Sequence, residues 1–224
     1  MLDWETGAMA DSVLVACPTY EGLSDLLDAY LDAYNNFKWP NRDLLLVDNT
    51  RDDGKYANSL RARGLNVLRV EPLKEFQKTF SLCWKVIAQY ANDHLYRWIL
   101  SLEQDVICPP LTIDTLLNVA GYIQAPFVTH LYPYHWGMNG LYQGLGCSLI
   151  RRHLLNTAMT MNEKENLVEG SIYAVAISQS HASLNGLLDI KHLDGKKRFW
   201  QYEDEKDPRV IYPPEYNQHG DPRK

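Results

Sequence analysis

RWILSLEQDVICPP, Arg97 to Pro110, is the stretch that decides the fold. Trp98, Ile99, Leu100 and Leu102 form a short apolar run that reads as a buried strand. It breaks off at two carboxylates one residue apart, Glu103 and Asp105, and Pro109 with Pro110 keeps the strand from resuming. An isolated acidic pair of this kind has a structural reading, since acids are frequent in turns. It also has a chemical one: hard oxygen ligands at a strand tip can hold a divalent cation against a diphosphate. The neighbouring sequence decides between them.

Upstream, strand and helix periodicities alternate. SVLVAC (Ser12–Cys17) reads as a strand ended by Pro18. LSDLLDAYLDAYNNF follows with Leu23, Leu26, Leu27, Tyr30, Leu31 and Tyr34 at helical spacing and Ser24 as N-cap. DLLLVD (Asp43–Asp48) is a second strand leading into the turn-rich NTRDDG. A short helix reaches Arg63 and stops at Gly64, LNVLRV is a third strand, and Lys74 to Asn92 a longer helix. This alternation predicts right-handed crossovers and a mainly parallel sheet with helices on both faces. Ligands bind such sheets at the carboxyl ends of the strands. Here those ends carry Thr19, Tyr20 and Glu21, then Asp48 and Asn49, then Glu103 and Asp105.

Downstream the pattern is less regular. Thr112–Ile123 reads as a helix, APFVTHLYP as a strand, and LYQGLGCSLIRR as a strand with two glycines. EGSIYAVAISQSHASL reads as a helix and LLDIKHL as a last strand, before a polar tail. The organisation expected is an arm (1–11), one α/β domain (12–192, with halves 12–110 and 111–192) and a tail (193–224).

The 224 residues carry a formal charge of −6, which argues against coating nucleic acid or anionic membrane by bulk electrostatics. No run approaches the roughly 18 apolar residues of a membrane span. The acidic MLDWETGAMADS lacks the basic and apolar regions of a secretory signal. Four scattered cysteines without a C-x-x-C spacing fit free thiols in a reducing cytosol, so a cytoplasmic location is expected.

The motifs in order resemble the family-2-like glycosyltransferases, whose nucleotide-binding domain is the Rossmann-like GT-A fold. VLVACPTYEG is similar to that family's opening strand and Pro-x-Tyr turn, and LLLVDNTRDDG to its second strand with a terminal Asp. ILSLEQDVICPP is similar to the strand ending in its D-x-D motif, with Glu103 where Asp is usual. GLGCSLIRRHLL resembles its Gly-containing strand and following basic helix. The resemblance implies a transferase that moves a hexosyl or pentosyl group from a nucleotide-sugar donor, a UDP-sugar first, to an acceptor hydroxyl with inversion.

It also implies residue roles. Pro18, Thr19 and Tyr20 line the nucleoside pocket, and Asp48 accepts a hydrogen bond from the base. Lys78 stands near the nucleotide. Asp105 ligates Mn2+ or Mg2+, and Glu103 reaches the ribose or a metal-bound water. His192 completes the metal site, and Glu169 is the general base, with Glu163 and Glu165 as substitutes. His192 equally suits a structural role, and Glu169 a helix N-terminus, where the dipole favours an acid.

Other features bear on the acceptor and the phosphates. YPYHWG (Tyr132–Gly137) offers rings for an acceptor, GKKRFW cations with aromatics for phosphate, and Arg151 with Arg152 either an approach to the diphosphate or cover for a helix end. The acceptor stays open among glycans, small molecules, proteins and a hydroxymethylated DNA base, the last suiting a phage-type enzyme. A sugar nucleotidyltransferase is the enzymatic rival, though PTYEGLSD lacks the Gly-rich basic loop it would need. A non-catalytic nucleotide- or carbohydrate-binding module is the other.

Overall fold

The computed structural model describes residues 11–133, 141–142, 144–161 and 168–193. Its first half runs β1 (Val13–Thr19), a 3-10 segment (Glu21–Leu26) continuing into α1 (Leu27–Asn36), β2 (Arg42–Asp48), α2 (Lys55–Ala62), β3 (Val67–Arg69), α3 (Phe76–Asp93), β4 (Trp98–Leu102) and β5 (Val106–Ile107). Its second half runs α4 (Thr112–Ile123), β6 (Phe127–His130), β7 (Tyr132–Pro133), β8 (Leu141–Tyr142), β9 (Cys147–Arg151), α5 (Arg152–Met161), α6 (Val168–Ser178), β10 (His181–Leu184) and β11 (Lys191–His192).

Seven strands form one sheet in the order β10-β6-β9-β4-β1-β2-β3. Every pairing is parallel except those of β9, which runs against both β4 and β6. Side chains alternate across the sheet, as the two-residue period requires. Val13, Val15, Leu46, Leu100 and Leu149 pack with α1, α2 and α4 on one face. Leu14, Ala16, Leu45, Ile99 and Ile150 pack with α3, α5 and α6 on the other. This is the mainly parallel sheet with helices on both faces that the alternation of strands and helices predicts.

Four local expectations are corrected. The first strand does not stop at Pro18 but runs through it to Thr19. The Thr19 carbonyl accepts from Asn49 N–H on the β2 side, so the position of Pro18's missing N–H faces β4, whose pairing with β1 has already ended at Ala16. Ser24 is not an N-cap: the Leu23 carbonyl accepts from Gln104 Nε2 at 2.7 Å, and this segment winds as a 3-10 helix, so α1 begins only at Leu27. The helix expected over 169–184 ends at Ser178, and His181–Leu184 becomes a strand along β6. LLDIKHL contributes only Lys191–His192 to a strand, paired antiparallel with β5.

The four cysteines are buried and free, as expected. No helix among the described residues is long and apolar enough to cross a membrane.

Candidate nucleotide and metal site

The parallel strands β1, β2 and β4 all end on one edge of the sheet, bringing Thr19, Asp48 and Glu103 to a common rim. Antiparallel β9 begins there, so Gly146 arrives at the same rim from the opposite chain direction.

Beyond Leu102 the chain turns tightly, with Val106 N–H donating to the Glu103 carbonyl at 3.0 Å. That turn presents Glu103 and Asp105. β11 then pairs with β5 so that His192 lies opposite Val106, and Leu193 N–H donates to the Asp105 carbonyl at 2.7 Å. The result is a cluster in which one donor atom each from Glu103, Asp105 and His192 lies within 4.8 Å of the others. His192 Nε2 stands 3.4 Å from Asp105 Oδ2, with side-chain exposures of 4% and 14%. Two carboxylates and an imidazole, converging and partly shielded, are a donor set that fits a divalent cation.

Tyr132 supports this cluster from beneath. It is fully buried, its hydroxyl donates to Glu103 Oε2 at 3.3 Å and accepts from Gly146 N–H at 3.2 Å. Its ring meets His192 edge-on at 5.2 Å. Tyr132 is thus a positioning residue for the acids, where its sequence context suggested acceptor stacking. The rest of that aromatic loop, 134–137, lies outside the described residues.

Gly146 is required by the same packing. A Cβ there would lie 2.4 Å from the Tyr132 hydroxyl and 2.8 Å from Glu103 Oε2, closer than real Cβ contacts come. Gly146→Ala is therefore expected to displace both groups and to weaken Mn2+ binding by about tenfold, the order of effect seen when groups supporting metal ligands are changed. Calorimetric Mn2+ titration of wild type and variant checks this, and equal affinities would show that the glycine is incidental.

Gln104, between the two acids, is a residue that the sequence reading passed over. It is buried, accepts a hydrogen bond from Thr19 Oγ1 and donates through Nε2 to the Leu23 carbonyl. It fastens the end of β1 and the 3-10 segment to the acidic turn. Its place inside E-Q-D was the available signal, because a polar residue next to a core strand has to find partners when buried.

Asp48 is fully buried at the end of β2. Its Oδ1 accepts from Thr50 N–H at 3.0 Å and Thr50 Oγ1 at 2.6 Å. Its Oδ2 is buried with no hydrogen-bond partner among the described residues, which makes it the unsatisfied acceptor of this strand end. Burial pushes its pKa up, the Asp52 charge adds to this, and the Thr50 hydrogen bonds and Arg69 oppose it. With a raised folded-state pKa, the ionised carboxylate costs stability. That cost is absent at pH below the ordinary carboxylate value of about 3.9 and grows as pH rises to the folded-state value. Asp48→Asn should accordingly gain thermal stability relative to wild type at neutral pH, with the difference shrinking at acid pH. A melting difference that ignores pH would contradict this origin.

The other named positions are distributed as follows. Pro18 and Tyr20 flank Thr19 at the end of β1, and the Tyr20 ring folds over Gly22, where a Cβ would come within 2.2 Å of it. Lys78 lies in the first turn of α3, paired with Glu75 at the surface. Glu169 is the second residue of α6; Glu163, Glu165 and GKKRFW lie outside the described residues. Arg151 and Arg152 stand at the opposite edge of the sheet from the acids. β9 is antiparallel, so the strand that starts at the rim ends on the far side, and these arginines do not approach the acidic cluster.

Strand order, crossovers and an acidic turn at the tip of β4 define a GT-A domain. No family model matches the sequence, and no curated protein matches it. Among solved structures, S. aureus TarS 1–349 in complex with UDP superposes with a TM-score of 0.58 at 13% identity, covering 77% of this chain and 57% of that one. The same protein in complex with UDP-GlcNAc gives 0.55 at 13% identity, over 77% and 56%. A cytidylyltransferase from Leptospira borgpetersenii gives 0.53 at 13% identity, over 81% and 78%. At such identities the likeness is one of fold, and the chain spans a little over half of the TarS chains.

Proposed function

We propose that this protein transfers a sugar from a nucleotide-sugar donor to an acceptor hydroxyl, in a metal-dependent, inverting reaction. The observation that carries the reading is the Glu103–Asp105–His192 cluster on the same rim as the unpartnered oxygen of Asp48. β1 alone separates β2 from β4, so the two features stand about 10 Å apart by strand spacing. That separation suits a nucleoside diphosphate, with the base at Asp48 and the phosphates at the acids. UDP and UDP-GlcNAc in the TarS structures support a uridine donor.

A divalent ion held by Asp105, His192 and Glu103 would supply the positive charge that neutralises the departing diphosphate. The chain's own residues do the rest. Asp48 Oδ2 accepts an N–H of the base, Thr19 and Tyr20 wall the nucleoside pocket, and Lys78 can leave Glu75 for the phosphates. Glu169 takes the acceptor proton as the hydroxyl attacks the anomeric carbon. Support for Glu169 comes from α6 itself: Tyr173, one turn further on, donates to the Gly144 carbonyl at 3.2 Å, two residues before Gly146.

The test incubates a panel of nucleotide sugars with Mn2+ and scores nucleoside diphosphate release. Release that depends on Mn2+ supports the reading, and none with any donor counts against it. Asp48→Ala should weaken nucleoside diphosphate binding ten- to a hundredfold, because a charge-assisted hydrogen bond is worth about 1.5–3 kcal/mol. A loss below threefold would reduce Asp48 to a turn residue.

The cytidylyltransferase likeness favours one second reading, nucleotidyl transfer. It predicts pyrophosphate release when a nucleoside triphosphate and a sugar phosphate replace the nucleotide sugar, and no nucleoside diphosphate release from the nucleotide-sugar panel.

A further inference from the structure

The edge of the sheet opposite the acids carries a pocket of about 500 Å³, between the end of α4 and the entry points of β4 and β6. This lies within the size range of small-molecule sites. Leu117, Ala120, Ala125 and Pro126 give it an apolar side, and Arg97 and Arg151 a cationic one. The cations differ in how they are engaged. Arg97 pairs with Asp11 at 2.5 Å, and the other oxygen of Asp11 accepts from Trp98 Nε1 at 3.2 Å. The Arg151 guanidinium lies over the Trp98 ring, 4.7 Å from its centroid. Among the described residues it makes no hydrogen bond, so its donor fork is unused.

We propose that this pocket is a second binding site, for a phosphate monoester carried on an apolar body. Arg151 supplies the planar fork that matches phosphate oxygens, and Arg97 stands beside it to share a dianion. The apolar wall receives the body of the ligand. Burial lowers the pKa of Arg151, the Arg97 charge lowers it further, and Asp11 opposes both. A desolvated cation beside a like charge gains more from an anion than a solvated one does. Asp11 competes for the same cations and sets the affinity. The plain alternative is that Arg151 only covers Trp98 through its cation–π contact.

The test is calorimetry on the full chain with EDTA present, using phenyl phosphate, inorganic phosphate and benzoate as probes. Phenyl phosphate should bind about tenfold more tightly than either of the others, since it alone engages both walls with a dianion. Arg151→Gln should weaken it about tenfold or more, the loss of a charge-assisted hydrogen bond. Asp11→Asn should tighten it several-fold by releasing Arg97, and Asp105→Ala should leave it unchanged. No binding of phenyl phosphate, or equal affinity in Arg151→Gln, overturns the proposal. Benzoate binding as tightly overturns the phosphate assignment, and a loss in Asp105→Ala moves the ligand to the rim. Should Arg151→Gln fail to fold, Asp11→Asn decides alone: unchanged affinity there ends the proposal.

Discussion

Asp105→Ala is expected to abolish metal-dependent nucleoside diphosphate binding while leaving the fold intact. The carboxylate is one of two acids in the cluster with His192, and its loss leaves one carboxylate and one imidazole. Two donors do not hold a hard cation against water, which offers oxygen ligands in excess. The fold does not depend on the side chain. The turn is closed by Val106 N–H on the Glu103 carbonyl, and β11 is held by Leu193 N–H on the Asp105 carbonyl, bonds that alanine keeps. Removing one of two neighbouring negative charges also relieves repulsion in the metal-free protein. Calorimetry with UDP, with and without Mn2+, reads the effect, and a melting curve checks the fold. Unchanged nucleotide affinity in the presence of Mn2+ would sink the assignment of Asp105.

Glu169→Gln is expected to reduce turnover by about a hundredfold or more and to leave donor affinity near wild type. A general base acts on the acceptor proton in the transition state and adds little to donor binding in the ground state. Glutamine preserves shape while removing the proton acceptor. Initial rates at saturating donor and acceptor measure the first effect, and UDP titration the second. Glu163→Gln and Glu165→Gln should give milder losses. Near-normal turnover in Glu169→Gln moves the base to one of those two, and a loss of donor affinity makes Glu169 part of the nucleotide site.

The architecture was legible because it is written in short-range signals. Continuous apolar runs gave β1, β2 and β4, and the 3.6-residue period gave α3 and α4. The rim residues Thr19, Asp48, Glu103 and Asp105 followed, because parallel strands joined by crossovers must all end on the same edge. His192 was reachable only through the family resemblance. Nothing in LLDIKHL foretold that two residues would pair with β5, and that pairing carries the imidazole to Asp105.

What escaped the sequence depends on partners distant along the chain. HASL is too short to carry a period of its own, and it became a strand because β6 had an open edge beside it. The buried bonds of Gln104 to Thr19 and Leu23 span more than 80 residues. The part played by Tyr132 required β7 and the start of β9 to meet at Glu103. The direction of β9 decided the most. A strand's apolar pattern reads the same in either orientation, so the sequence alone determined that LYQGLGCSLIRR holds a strand, which the structure narrows to Cys147–Arg151. Only the tertiary structure decided that Gly146 lies at the acids and Arg151 at the far edge, because hydrogen bonding to β4 and β6 fixes the direction.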